Sequence, residues 1–238
     1  MDRWTDSDPT AVGQSIEVIE QDEVQLESKP LRVRRVVVRL GSALVMFHST
    51  NLAVRTRTKL HVDFVAYTAF APKAIGTVNG LPIGPDRVLA SMPGIEVEIV
   101  VAAGNESIAF LISPEDIHAH LQGRQRENKF RLPDGVELLT PSPTAARGLY
   151  RWGRRFIDLA ARQPDLFDIP QTQFAAKGDL LENLLATLRS AVQVESAPRD
   201  LRLHRVRQTL REATHASTTV TKEALRWGFW HFGDFSRA

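Results

Sequence analysis

The chain has 238 residues, of which 43% are hydrophobic and 24% charged, with a formal net charge of +2 and no cysteine. Such a length holds one large domain or a medium one with a smaller partner, and it buries a proper core without staples. Disulfides, thiolate metal sites and cysteine nucleophiles are excluded, and no run of about 18 uninterrupted apolar residues marks a membrane helix. Asp2 and Asp6 stand where a signal peptide would carry bases and then an apolar run, so the expected compartment is the cytoplasm and no membrane partner is expected.

To residue 140 the chain reads as strands and turns. Apolar, β-branched or aromatic runs lie at 16–19, 31–40, 43–47, 61–67, 88–90, 96–101 and 107–112. Turn pairs separate them: Gly41-Ser42, Asn79-Gly80, Gly84-Pro85, Pro93-Gly94 and Gly104-Asn105. Many short strands at fairly even spacing predict an antiparallel sandwich or barrel. A short helix is predicted over 114–121, with Ser113 as N-cap and Glu115 and Asp116 in its first turn. Residues 122–129 read as a polar loop, and 132–139 as one more strand or an arm.

The pattern changes at Pro141. Residues 144–162 have helical spacing, with Leu149, Trp152, Phe156, Leu159 and Ala160 on one face and Arg147, Arg151, Arg154 and Arg155 over much of the rest. Gln163-Pro164 ends that helix. A second is predicted over 178–192, striped by Leu181, Leu184, Leu185 and Leu188, and 195–198 reads as a linker. A third is predicted over 200–213, where Leu203, Val206 and Leu210 share a side. A polar break at 215–219 leads to a short helix at 220–227, a turn at Gly228, and a last helix beginning near His231: the order of a helix-turn-helix. Residues 199–238 carry eight bases against four acids, a net of +4, which leaves −2 for the rest. A basic end on a slightly acidic body suits either a polyanion partner or a solvated helix face.

The segment from Val220 onward resembles the second helix-turn-helix of AraC-family transcription regulators. The residues that carry the resemblance are Val220, Ala224, Gly228, Phe229, Phe235, Ser236 and Arg237, and 201–210 resembles the helix that links the family's two units. Each residue type has a physical role. Ala224 lets two helices cross closely, Gly228 takes a backbone angle that other residues resist, and Phe229 and Phe235 pin the second helix to the first. The resemblance implies that Trp230, His231, Gly233, Asp234 and Arg237 face the major groove or nearby phosphates, with Arg202, Arg205 and Arg226 as further phosphate contacts. It also implies double-stranded DNA as partner, a cupin-like N-terminal sandwich that senses a small-molecule effector, and a homodimer built on the helices around 149–159 and 181–188.

The chain departs from the family pattern in three ways. The first helix-turn-helix has no room before residue 201, the match stops at Ala238 inside the recognition helix, and Asp234 places an acid toward phosphate. Weak binding by a monomer is the expected consequence, since affinity falls steeply with each lost phosphate contact.

The expected architecture is therefore α+β: an antiparallel β-sandwich or cupin-like jelly roll over 1–140, connecting helices over 141–198, and a truncated helix-turn-helix region over 199–238. No catalysis, cofactor or metal is expected. His118 and His120 lie two apart on a predicted helix and so point to different faces, unlike a strand-borne ligand pair; His48 and His61 read as packing or surface residues. The Gly-x-Ser-x-Gly, phosphate-loop and His-Glu-x-x-His patterns are absent from the sequence. Two other readings remain open: a dimerising interaction protein that leaves DNA untouched, and a cupin-like small-molecule-binding protein.

Overall fold

A computed structural model describes residues 3–6, 19–60, 63–124, 130–189, 191–194, 206–211 and 219–220. The strands are β1 (Arg3–Asp6), β2 (Ile19–Gln25), β3 (Val33–Leu40), β4 (Ala43–Thr50), β5 (Val54–Leu60), β6 (Val65–Phe70), β7 (Gly76–Val78), β8 (Leu81–Ile83), β9 (Val88–Ser91), β10 (Glu96–Val101), β11 (Glu106–Ile112), β12 (Val136–Thr140) and β13 (Val192–Val194). The helices are α1 (Pro114–Gln122), α2 (Pro143–Arg162) and α3 (Pro170–Leu188), with a 3-10 turn at Pro164–Asp168 between the last two.

Two antiparallel sheets face each other. The larger runs β1-β3-β4-β11-β6-β9-β12-β13 and the smaller β2-β5-β10-β7-β8. Period-two alternation divides the residues of the large sheet between its two sides. Val36, Val38, Val45, Phe47, Val65, Tyr67, Ile108 and Phe110 pack outward against Ala146, Leu149, Tyr150, Ile157, Leu180 and Leu184 of the helices. Their alternating neighbours face the small sheet. On the outer side of the small sheet, register stacks unlike charges: Glu20 opposite Lys59 opposite Glu96, and Asp22 opposite Arg57 opposite Glu98. The β7–β8 hairpin turns on Asn79 and Gly80, both with positive φ (47° and 80°), the pairing that a two-residue hairpin favours.

The expected sandwich and the helix at 114–121 are both present. Ser113 Oγ accepts from the Asp116 backbone N–H at 3.1 Å and caps α1. Several boundaries move. Of the strand expected at 61–67, residues 61–62 lie outside the described residues and the described part begins at Val65, after Asp63 takes a φ of 82° that interrupts an extended run. The helix expected at 178–192 runs from Pro170 to Leu188: proline suits the first turn, alanine and glutamine propagate it, and the chain then becomes extended as β13 pairs with β12. Leu159 is 44% exposed rather than on the buried face of α2, which is centred on Leu149, Gly153, Ile157 and Ala160. Residues 206–211 are helical with Val206 buried, within the helix expected over 200–213.

Candidate functional site

The inward side of the large sheet does not fill the sandwich evenly. One end is closed by Leu31, Val54, Phe70, Leu81, Leu89, Val97 and Leu138. The other is closed by Ile19, Leu44, Leu60, Ala66 and Leu111. Between these clusters a cavity of about 100 Å³ is left, its mostly apolar wall interrupted by small and polar side chains. Thr56 and Thr58 reach it from β5, Thr68 from β6, Ser91 from β9, Ser107 and Ala109 from β11.

Arg35 supplies the positive charge. It is 8% exposed and its Nη2 donates to Gln21 Oε1 at 2.7 Å. Arg34 and Arg35 are adjacent on β3, so they face opposite sides of the sheet. Arg34 turns to the helix side, with its guanidinium 5.6 Å from the Phe47 ring centre, and Arg35 turns into the sandwich. Burial lowers the pKa of Arg35, and the charge of Glu23 partly offsets this. Glu23 is shifted upward, first by burial and against the pull of Arg35.

His48, half-buried on β4, lines the same cavity with its Nε2 sheltered from solvent. Burial, reinforced by the charge of Arg35, pushes its pKa down to about 3, so the ring is neutral in the physiological range. Among the described residues, His48 Nε2 and Asn105 Oδ1 are buried without hydrogen-bond partners. A guanidinium, a neutral imidazole, an amide oxygen and several hydroxyls thus converge on a small space with walls of Met46, Leu60 and Leu111. Such a lining combines apolar walls with a few convergent polar groups, the make-up of a small-molecule pocket.

Sequence reasoning gave His48 a packing or surface role and left Arg35 within a mixed strand. Strand β5 was missed, although Val54-Arg-Thr-Arg-Thr-Lys-Leu60 alternates visibly. The other histidines do not join this site. His118 is exposed, and His120 Nε2 lies 3.1 Å from Glu182 Oε1 on α3; His61 is outside the described residues. No group of three or more His, Asp or Glu among the described residues is placed to hold a metal ion. No described helix is long and apolar enough to cross a membrane. The proposed DNA-contacting residues Arg202, Arg205, Arg226, Trp230, His231, Gly233, Asp234 and Arg237 lie outside the described residues, as do Ala224, Gly228, Phe229 and Phe235.

No known protein-family pattern matches the chain's sequence. No curated protein matches it. Among solved structures the chain is similar to an AraC-like transcriptional activator, CuxR. The TM-score is 0.53 at 11% identity, over 99% of this chain and 93% of that one. This likeness shows a shared fold. Weaker likenesses are to ToxT from Vibrio cholerae (TM-score 0.26, 8% identity, 93% of each chain) and to a mutant of Bacillus subtilis oxalate decarboxylase (0.24, 13%, 51% of this chain and 41% of that one).

Proposed function

We propose that the chain is an AraC-like transcription regulator whose sandwich cavity takes a small-molecule effector and whose residues 199–238 engage double-stranded DNA. The observation that carries this reading is its end-to-end fold likeness to an AraC-like transcriptional activator. The Gly228-Phe229 and Phe235-Ser236-Arg237 motif and the +4 charge of the same segment support it independently. Arg35, His48 and Asn105 suit an effector with a polar or anionic head, and the 100 Å³ volume restricts it to a compact one. In this reading the protein binds and does not catalyse, and it divides into a sensor (1–140), connecting helices (141–198) and a DNA-binding tail (199–238). A lone helix-turn-helix makes few phosphate contacts, so two copies acting together would strengthen binding.

The dimerising interaction protein is kept as a second reading because of one surface. Leu159, Leu166, Ile169 and Phe174 are 37–77% exposed around the turn between α2 and α3. Apolar side chains gathered this way mark contact surfaces. The helices around 149–159 and 181–188, expected to form the homodimer, bury Leu149, Leu181, Leu184 and Leu188 within the chain, so in either reading the exposed turn between them is the proposed homodimer contact instead.

Fluorescence anisotropy with the chain's own upstream DNA and a scrambled duplex, at low and moderate salt, decides between the readings. The regulator reading expects tighter binding to the native duplex that survives added salt. Equal, salt-erased binding, or none, from a chain that sediments as a dimer would replace it with the interaction reading.

A further inference from the structure

A second cavity, of about 160 Å³, lies on the helix side of the large sheet, the opposite side from the sandwich cavity. Its lining includes Tyr67, Phe130, Arg131, Glu137, Leu188 and Ala191. We propose that it is a binding site for a compact, uncharged molecule of roughly the size of benzene that accepts a hydrogen bond from Tyr67 Oη.

Tyr67 is 1% exposed, and among the described residues its hydroxyl has no hydrogen-bond partner. A buried donor left unmade is unfavourable, so an occupant that accepts from it is favoured over an apolar one. Burial, with the nearby charge of Glu137, raises the pKa of Tyr67, so the hydroxyl keeps its proton and remains a donor. The size follows from the volume, since a cavity of about 150 Å³ admits benzene.

The neutral character follows from the ion pair beside the hydroxyl. Glu137 is buried, and both its oxygens accept from Arg131 Nη2, at 2.9 and 3.0 Å. Its Oε1 also accepts from the Asp134 backbone N–H at 2.7 Å. Glu137 and Arg131 already neutralise each other, so the cavity offers no uncompensated charge to offset the desolvation of an ion, a penalty an uncharged molecule does not incur. Leu188 closes α3 and Ala191 leads into β13, so the occupant touches the connection toward the C-terminal residues. The site does not depend on whether the chain binds DNA.

Titration of the full chain with phenol, toluene and benzoate, followed by ligand-observed NMR and intermolecular NOEs, tests the site. Phenol is expected to bind saturably, with NOEs to the Leu188 and Ala191 methyls, and benzoate at least tenfold more weakly. Tyr67→Phe, which keeps the ring, is expected to weaken phenol about tenfold and leave toluene unchanged. Ala191→Leu, which fills the space from another element, is expected to abolish both. No saturable phenol binding, equal phenol affinity in Tyr67→Phe, or NOEs to Met46 and Leu111 of the sandwich cavity would each overturn the proposal.

Discussion

Tyr150 Oη donates a 2.8 Å hydrogen bond to Glu106 Oε2, which ties the buried face of α2 to the first residue of β11. The contact joins helix to sheet beside the end of the sandwich cavity, where Asn105 and Ser107 flank Glu106. A hydrogen bond to a carboxylate contributes more than a neutral one, and Tyr150 is 6% exposed. Tyr150→Phe is therefore expected to lower unfolding stability by about 2 kcal/mol. Urea denaturation followed by tryptophan fluorescence measures it, and a loss under roughly 0.5 kcal/mol would mean that water replaces the bond at little cost.

The chain has two tyrosines, and both are shifted in the same direction. Tyr67 is raised by burial and then by Glu137; Tyr150 is raised by burial and then by its hydrogen bond to Glu106. A group with a raised folded pKa contributes stability that is present below its unfolded value, about 10, and lost as pH climbs toward the folded value. Absorbance at 295 nm is thus expected to show almost no phenolate at pH 10 in the native protein. It should appear when guanidinium unfolds the chain at that pH. Ordinary titration of either ring near pH 10 in the folded state would contradict its placement.

Gly153 and Gly148 sit on the same helix and should respond oppositely to alanine. A Cβ at 153 would stand 2.9 Å from Phe110 Cζ and 3.0 Å from Ile108 Cγ2, whereas a Cβ at 148 meets nothing within 4 Å. Gly153→Ala is expected to cost about 1–3 kcal/mol, because α2 must lift from the sheet. Gly148→Ala is expected to gain up to about 1 kcal/mol through helix propensity. Thermal melts of the two variants give the comparison, and equal shifts would refute the close helix-to-sheet approach.

The sandwich was legible because turn residues punctuate it and its longer strands carry β-branched runs. The helix at Ser113 was legible because cap, proline and first-turn acids coincide. The cavity was not legible, for a physical reason. Both sides of the large sheet are covered, so Val33–Leu40 shows no clean apolar and polar alternation, and Arg34 and Arg35 give no sign of which turns inward. The inward Thr56, Thr58, Thr68 and Ser107 read as solvent-facing polar residues until the second sheet is placed over them. Leu159 was misassigned because a period of 3.6 residues makes a stripe, and its edge is not fixed by spacing alone. The start of α3 was missed because residues 170–177 have helical propensity but little apolar periodicity.

Asp116 joins three separate elements, and its charge is what holds them. Lys177 Nζ on α3 donates to Asp116 Oδ1 at 2.7 Å and to Ser42 Oγ at 3.0 Å, and Ser42 Oγ donates to Asp116 Oδ2 at 2.6 Å. Burial alone would raise the carboxyl. The hydrogen bonds from Lys177 and Ser42, with the charge of Lys177, outweigh it and hold Asp116 below its ordinary value. A depressed carboxyl contributes stability above its unfolded pKa, about 3.9, and loses it as pH falls through the folded value. Asp116→Asn is therefore expected to cost about 1 kcal/mol at pH 7, since the pair is partly solvated and keeps some hydrogen bonding. The gap to the unmodified chain should shrink progressively below about pH 4, as the native carboxylate also becomes neutral. Denaturation midpoints of both proteins at pH 7, 5 and 3 measure this. A gap that stays constant across the series would assign the loss to packing at the β3–β4 turn rather than to the charge.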